Sequence, residues 1–253
     1  MTEILRLEKI TKEYDGLLAL NSVSLTMHEK EIIGLVGDNG AGKSTLLNIL
    51  VGLYPPSAGK IYLNGKETRF SSPADARRQG IEIVYQFGNL IEKMTIYKNF
   101  FLGREIIKKS ILDKEEMRKK SEKALDEIGI SKSPDQLVEA LSGGEKQAVT
   151  LGRAFYFGVK VLLLDEPTVG LSVKEVDRTL KRIKSLCDNA SLSIIFVTHN
   201  LQHVLPIADR IVVLHLGEKI CDQKAEDTNI EEVTKLIITG VKKEELVNET
   251  EFI

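Results

Sequence analysis

The chain has 253 residues, 42% of them hydrophobic and 28% charged, with a formal net charge of −2. That length suits one large domain or two small ones, and the composition excludes disorder over most of the chain. A near-neutral balance offers no basic face for phosphate backbones, so no nucleic acid partner is expected.

In chain order, the opening MTEILRLEKI is mixed in charge and strand-like, without a basic-then-apolar secretory pattern. Ile32 to Val36 is a short apolar run, suited to a strand buried on both faces. Lys60 to Lys66 reads as a hairpin turning at Asn64-Gly65, which with Leu5 to Ile10 suggests a small antiparallel sheet. Ser72 before Pro73 marks a helix start. From about Phe87 to Ala140 the strand signal vanishes. The lysines between Lys108 and Lys123 alternate with acids, as on a solvated helix face. Asp113 and Glu116 have capping-box spacing, and Met117, Ser121, Ala124, Leu125 and Ile128 line one helix face.

Apolar strands return at Val161 to Leu164, Ile194 to Val197 and Ile211 to Leu214. Ser172 with Glu175, and Thr228 with Glu231, again have capping-box spacing. After Ser172, the residues Val173, Val176, Leu180, Ile183 and Cys187 repeat every three or four positions as one apolar face. The polar end from Lys242 reads as frayed. Cys187 and Cys221 are too few for a disulfide framework or a zinc site and fit a reducing compartment. No stretch approaches the ~18 to 20 apolar residues of a membrane span.

Three segments carry chemistry. Gly37-Asp38-Asn39-Gly40-Ala41-Gly42-Lys43-Ser44 matches the P-loop pattern, between a buried strand and a helix beginning Thr45-Leu46-Leu47. Its glycines let backbone N–H groups converge on phosphate, Lys43 reaches the terminal phosphates, and the Ser44 hydroxyl is a hard ligand for Mg²⁺. A glycine-rich turn with a surface lysine is the bland alternative. The strand Val161 to Leu164 ends in Asp165-Glu166. Two adjacent acids there are costly unless a cation or a proton-transfer task holds them. Asp165 is the expected Mg²⁺ partner and Glu166 the expected general base, which points to hydrolysis rather than transfer to an acceptor. In Leu141-Ser142-Gly143-Gly144-Glu145 the local reading is a capping box, but each glycine in that first turn costs ~1 kcal/mol of helix propensity. Paired glycines there admit an anion close to backbone N–H groups.

These motifs, in this order, resemble the nucleotide-binding subunit of an ATP-binding cassette (ABC) transporter over nearly the whole chain. The resemblance implies an α/β fold: a P-loop NTPase core with a mainly parallel sheet, an N-terminal antiparallel β-subdomain and an inserted helical subdomain. It implies a single ABC ATPase domain over 1–253, with its core in 1–86 and 161–241, helical part in 87–160 and a flexible tail in 242–253. Gly37 to Ser44 resemble the Walker A motif, with Thr45 also at the ATP, Val161 to Glu166 the Walker B strand, and Leu141 to Glu145 the LSGGQ signature, with Glu145 in place of the commoner glutamine. Tyr14 resembles the aromatic that stacks on adenine. Gln86 resembles the glutamine that links Mg²⁺ and water to the membrane partner. Val169 to Ser172 lie where the D-loop is expected, and His199 resembles the switch histidine at the γ-phosphate. The rival for His199 and His203, four apart, is a metal pair, but Asn200 stands where a metalloprotease pattern needs glutamate. His28 and His215 have no motif around them.

The family further implies ATP and Mg²⁺ as cofactors and a second ATPase subunit, as a homodimer or a heterodimer with a similar ATPase, whose ATP meets Ser142, Gly143, Gly144 and Glu145. It also implies transmembrane permease subunits docked near Phe87 to Glu105, a solute-binding protein acting through them, and peripheral placement on the cytoplasmic face of the membrane. Ser72-Pro73, Gly80-Ile81, Val84-Tyr85-Gln86, Asn89-Leu90 and Phe101-Leu102-Gly103-Arg104-Glu105 resemble single-cassette bacterial importers of the ribose, galactose or fructose type, so monosaccharide import is expected. A non-transport ABC ATPase would carry a coiled-coil, zinc or basic insertion. A P-loop kinase would lack the Leu141 to Glu145 motif.

Overall fold

The structure is a computed structural model, and residues 2–85, 90–127, 129–190 and 192–241 are described. Strands β1 (Glu3–Tyr14), β2 (Leu17–His28), β4 (Ala58–Leu63) and β5 (Lys66–Thr68) form an antiparallel sheet in the order β2-β1-β4-β5. The β4–β5 hairpin turns at Asn64 (φ 51°) and Gly65 (φ 73°), the two positive φ angles that a two-residue hairpin of this sequence requires.

The second sheet has the order β12-β11-β3-β10-β9-β6. Its members are β3 (Ile32–Val36), β6 (Ile81–Val84), β9 (Val161–Asp165), β10 (Ser193–Val197), β11 (Arg210–His215) and β12 (Glu218–Lys224). All neighbours are parallel except β12, which pairs antiparallel with β11. β3 and β10 are buried along their whole length, which is why their sequences read as unbroken apolar runs. One face of this sheet packs with α1 (Lys43–Leu50) and the antiparallel sheet. The other packs on α6 (Val173–Ala190) and α8 (Ile230–Thr239).

Between β6 and β9 lie α3 (Ile96–Phe101), α4 (Lys114–Glu127) and α5 (Gly143–Tyr156), with cores of their own around Leu125 and Val149 and around Phe100 and Phe101. The buried stripe of α4 is Met117, Ser121, Ala124 and Leu125, as the spacing predicts, while Ile128 lies outside the described residues. One expectation fails here. A small hairpin, β7 (Ile107–Lys108) with β8 (Ile111–Leu112), stands where only helix was expected, because Lys109 and Ser110 adopt positive φ and turn the chain back before α4 begins. The Lys108 end of the lysine-rich run therefore belongs to this hairpin. α3 buries five of its six residues.

Helix starts also needed correction. α2 (Pro73–Arg78) is capped by Ser72, and α4 by Asp113, whose Oδ1 accepts from Glu116 N. The cap of α8, however, is Asn229, whose side chain accepts from Glu232 N, one residue beyond the Thr228–Glu231 pair. Thr228 instead hydrogen-bonds the Glu232 carboxylate (3.0 Å). Val173 is 87% exposed at the first position of α6, and the buried face is Val176, Thr179, Ile183, Leu186 and Cys187. A residue in the first turn projects past the neighbouring element, so periodicity alone overextends the stripe.

Candidate active site

β3, β9 and β10 are neighbours and parallel, so their carboxyl ends open on one edge of the sheet, where open α/β folds place ligands. The turn after β3 carries Gly37 to Ser44. A Cβ on Gly37 would lie 2.2 Å from the Leu214 carbonyl oxygen, so only glycine fits between β3 and β11. Ala41 N donates to Asp38 O and Gly217 N to Ala41 O, both at 3.1 Å, pinning the loop to the β11–β12 turn. α1 follows Gly42, which is left-handed (φ 102°), and has no side-chain cap at its N-terminus. Its first amides and positive dipole end are thereby left for an anion.

The Lys43 ammonium folds back and donates to the carbonyls of Gly37 and Asp38, both at 2.8 Å. Burial lowers its pKa, opposed by the charges of Glu166, Asp38 and Asp165. At the end of β9, burial raises the Asp165 carboxyl and Glu166 adds to this, while Lys43 pulls it down. Opposite charge arriving at Asp165 would favour its ionised form.

Glu166 has φ 50°, an unusual backbone for a non-glycine residue, and its N–H donates to Val197 O (2.9 Å). Its carboxylate accepts three bonds from the loop after β10: Thr198 Oγ1 on Oε2 (2.9 Å), and His199 N (2.9 Å) and His199 Nδ1 (2.7 Å) on Oε1. Asn39, Gly40, Ala41, Gly42, Lys43, Ser44, Thr45, Asp165, Glu166 and His199 line one cleft of ≈ 450 Å³. Tyr14 ends β1 beside this cleft, hydrogen-bonded to the Thr45 side chain, edge-on to Tyr54 at 5.8 Å and under the Lys12 ammonium at 4.9 Å.

The donor set fits Mg²⁺ with a phosphorylated ligand. Ser44 and Asp165 offer hard oxygens, and no group of three or more His, Cys, Asp and Glu among the described residues forms a cage of its own. Mg²⁺ is commonly held in this way, by one or two protein oxygens with phosphates completing the shell. Gln86, the third expected Mg²⁺ partner, lies outside the described residues.

Ser142, Gly143, Gly144 and Glu145 do not line the cleft. Ser142 caps α5 in a full capping box: Glu145 N donates to Ser142 Oγ (3.3 Å) and Ser142 N to Glu145 Oε2 (2.9 Å). Lys132 pairs with Glu145 Oε1 at 3.0 Å, which gives the carboxylate a partner that glutamine would not need. The contact that sequence reasoning missed is Glu175, whose Oε1 accepts from Gly144 N (3.1 Å). Its Oε2 accepts from Ser172 N (3.0 Å) and Ser172 Oγ (2.8 Å). The Ser172–Glu175 spacing was legible; the reach across to α5 was not.

The comparisons with known proteins agree with this geometry. The ABC transporter family profile matches residues 20–169. The xylose/arabinose import ATP-binding protein of Sulfolobus acidocaldarius is 42% identical over 239 residues, covering 94% of each chain. The chain belongs to the ABC transporter family. The fructose import ATP-binding protein of Rhizobium meliloti is 38% identical, with 95% of each chain covered. Among solved structures, a dimeric ATP-binding cassette in a post-hydrolysis state with ADP and Pi matches with a TM-score of 0.74 at 28% identity, covering 88% of this chain and 99% of that one. As an ABC cassette the protein binds and hydrolyses ATP with Mg²⁺. No helix among the described residues is long and apolar enough to cross a membrane.

Proposed function

We propose that this cassette drives monosaccharide import as a homodimer on the cytoplasmic face of the membrane, fed by a solute-binding protein through its permease. The observation that carries the dimer is the placement of the motifs: Lys43, Ser44, Asp165, Glu166 and His199 share one cleft, while Ser142 to Glu145 stand outside it. A signature that does not face its own P-loop is available to the cleft of a second copy. The sugar rests on the near full-length similarity to the xylose/arabinose and fructose import proteins.

In this reading the amides of Gly40 to Thr45 and Lys43 hold the phosphates, Tyr14 the adenine, and Ser44, Asp165 and Gln86 the metal. Bound Mg²⁺ supplies charge neutralisation at the phosphates. Glu166 polarises the attacking water, and His199 and Thr198 aim its carboxylate. For the permease this chain offers a groove lined by Arg77, Glu82, Tyr85, Thr150 and Arg153. There Arg153 donates to Leu102 O (2.8 Å) and Arg104 pairs with Glu82 (3.1 Å), tying the chain after α3 to α5 and to β6.

The decisive experiment is Glu166→Gln. ATP binding is expected to survive while turnover falls by about 10²–10⁴-fold, the usual contribution of a general base; near-native ATPase activity would sink the role. Uptake of labelled monosaccharides by vesicles holding the cassette, its permease and binding protein tests the substrate, and stimulation only by another class of solute would overturn it.

A further inference from the structure

His203 is the one residue of the His199–His203 pair that neither hydrolysis nor a metal uses. It does not turn to the cleft. Its Nδ1 meets Thr168 Oγ1 at 2.9 Å, and its Nε2 meets Asn200 Nδ2 at 3.2 Å. Thr168 is 4% exposed and lies two residues after Glu166. Asn200 N donates to Thr198 Oγ1 (3.0 Å), whose hydroxyl donates to Glu166 Oε2. A ring therefore closes through Glu166, Thr198, Asn200, His203 and Thr168, joining the segment after β9 to the segment after β10. His203, which does not line the cleft, bridges the two segments.

The ring settles the tautomer. Asn200 Oδ1 accepts from Gln202 N (3.0 Å), so the amide NH₂ must face His203. Nε2 is then an acceptor, and the ring proton sits on Nδ1, donated to Thr168. We propose that His203 is a positioning residue for ATP hydrolysis, which as the neutral Nδ1–H tautomer locks the loop carrying Thr198 to the segment carrying Glu166 and so holds the general base in line. The proposal rests on Glu166 being that base. Protonation would place a donor at Nε2 against the donor of Asn200 and break the ring. Burial favours the neutral form, and His199 does so too, while the Glu166 carboxylate, the other charged group facing the imidazole, opposes them. The lock is thus complete at neutral and alkaline pH and is lost as pH falls below the ordinary histidine range, where the unfolded chain takes the proton first.

Glutamine carries one donor and one acceptor that can replace the two ring nitrogens, and it does not titrate. In steady-state ATPase assays, His203→Leu is expected to lower kcat by about tenfold with KM for ATP changed less than about twofold, the signature of lost positioning rather than lost binding. His203→Gln is expected to recover most of that kcat at about pH 8 and to keep activity as pH falls well below the ordinary histidine range, where the native protein loses it. Native kcat in His203→Leu would overturn the proposal, as would a His203→Gln variant as impaired as leucine, or acid limbs that superimpose for native and glutamine proteins. If His203→Leu does not fold, the comparison of native and glutamine pH profiles decides. Glu166→Gln run alongside separates the failures: persistent hydrolysis there removes the base assignment, whatever His203 does.

Discussion

Two helices of this cassette begin with glycine-marked turns, and they solve opposite problems. α1 has no side-chain cap, no acid in its first turn, and a lysine that folds onto its own loop carbonyls. α5 has a complete capping box, an acid in its first turn, and the Gly144 amide already bonded to Glu175. The glycines differ too. Gly37 is needed because backbone crowds it: a Cβ would strike the Leu214 carbonyl. At Gly143 and Gly144 a Cβ would approach the Leu171 and Glu175 side chains, at 3.0 Å in each case. The P-loop thus leaves its amides to a ligand, whereas the signature turn holds an anion supplied by its own chain. In the proposed dimer, a phosphate from the partner subunit would have to displace a carboxylate that also holds Ser172, in the segment after Glu166.

The sharpest way to break this contrast is substitution of the glycines. Gly37→Ala should destabilise the protein by about 3 kcal/mol or more, since a carbonyl of a buried strand cannot yield. Gly144→Ala should stay within about 1 kcal/mol, because helix propensity gained offsets a side-chain shift of Glu175. Equal losses in thermal unfolding would show that the two turns are alike. The next effect in size concerns the resident anion. In a Glu166→Gln background, Glu175→Gln should lower the ATP concentration for half-maximal dimerisation by about threefold to tenfold, one charged hydrogen bond's worth, read by analytical ultracentrifugation. No change, or weaker dimerisation, would mean Glu175 does not compete. The donors of Ser172 and Gly144 hold the Glu175 carboxyl down at about 2, against an ordinary 4.5. Its contribution to the native fold is therefore complete above about pH 4.5 and lost as pH falls toward 2, the direction for a depressed carboxylate. The smallest effect is Glu145→Gln, which removes the partly exposed pair with Lys132 but keeps a cap acceptor; stability should move by less than about 0.5 kcal/mol. A larger loss would show that the charge, rather than the cap, holds the start of α5.

The site was legible to unequal depth. Gly37 to Ser44 and Asp165-Glu166 announce themselves because phosphate and metal chemistry constrain neighbouring residues within one turn. Tyr14 and His199 needed a family resemblance, since a lone aromatic and a lone histidine carry no local pattern. Glu175, Thr198 and His203 were out of reach as members of the site, because each acts on a residue from another element. Thr198 and Glu166 are hydrogen-bonded across two strands, and nothing in either segment names the other.

By itself the sequence determined what each segment is: buried strands from their apolar runs, helix starts from caps, and a phosphate turn from its glycines. It did so because backbone sterics and local hydrogen bonding act over a few residues. Only the tertiary structure decided what meets what. Setting β10 between β3 and β9 brings Lys43, Asp165 and His199 to one edge, and packing α6 beside α5 puts Glu175 on the Gly144 amide. Such pairings depend on sheet order and helix placement, which follow from burying apolar surface over the whole chain.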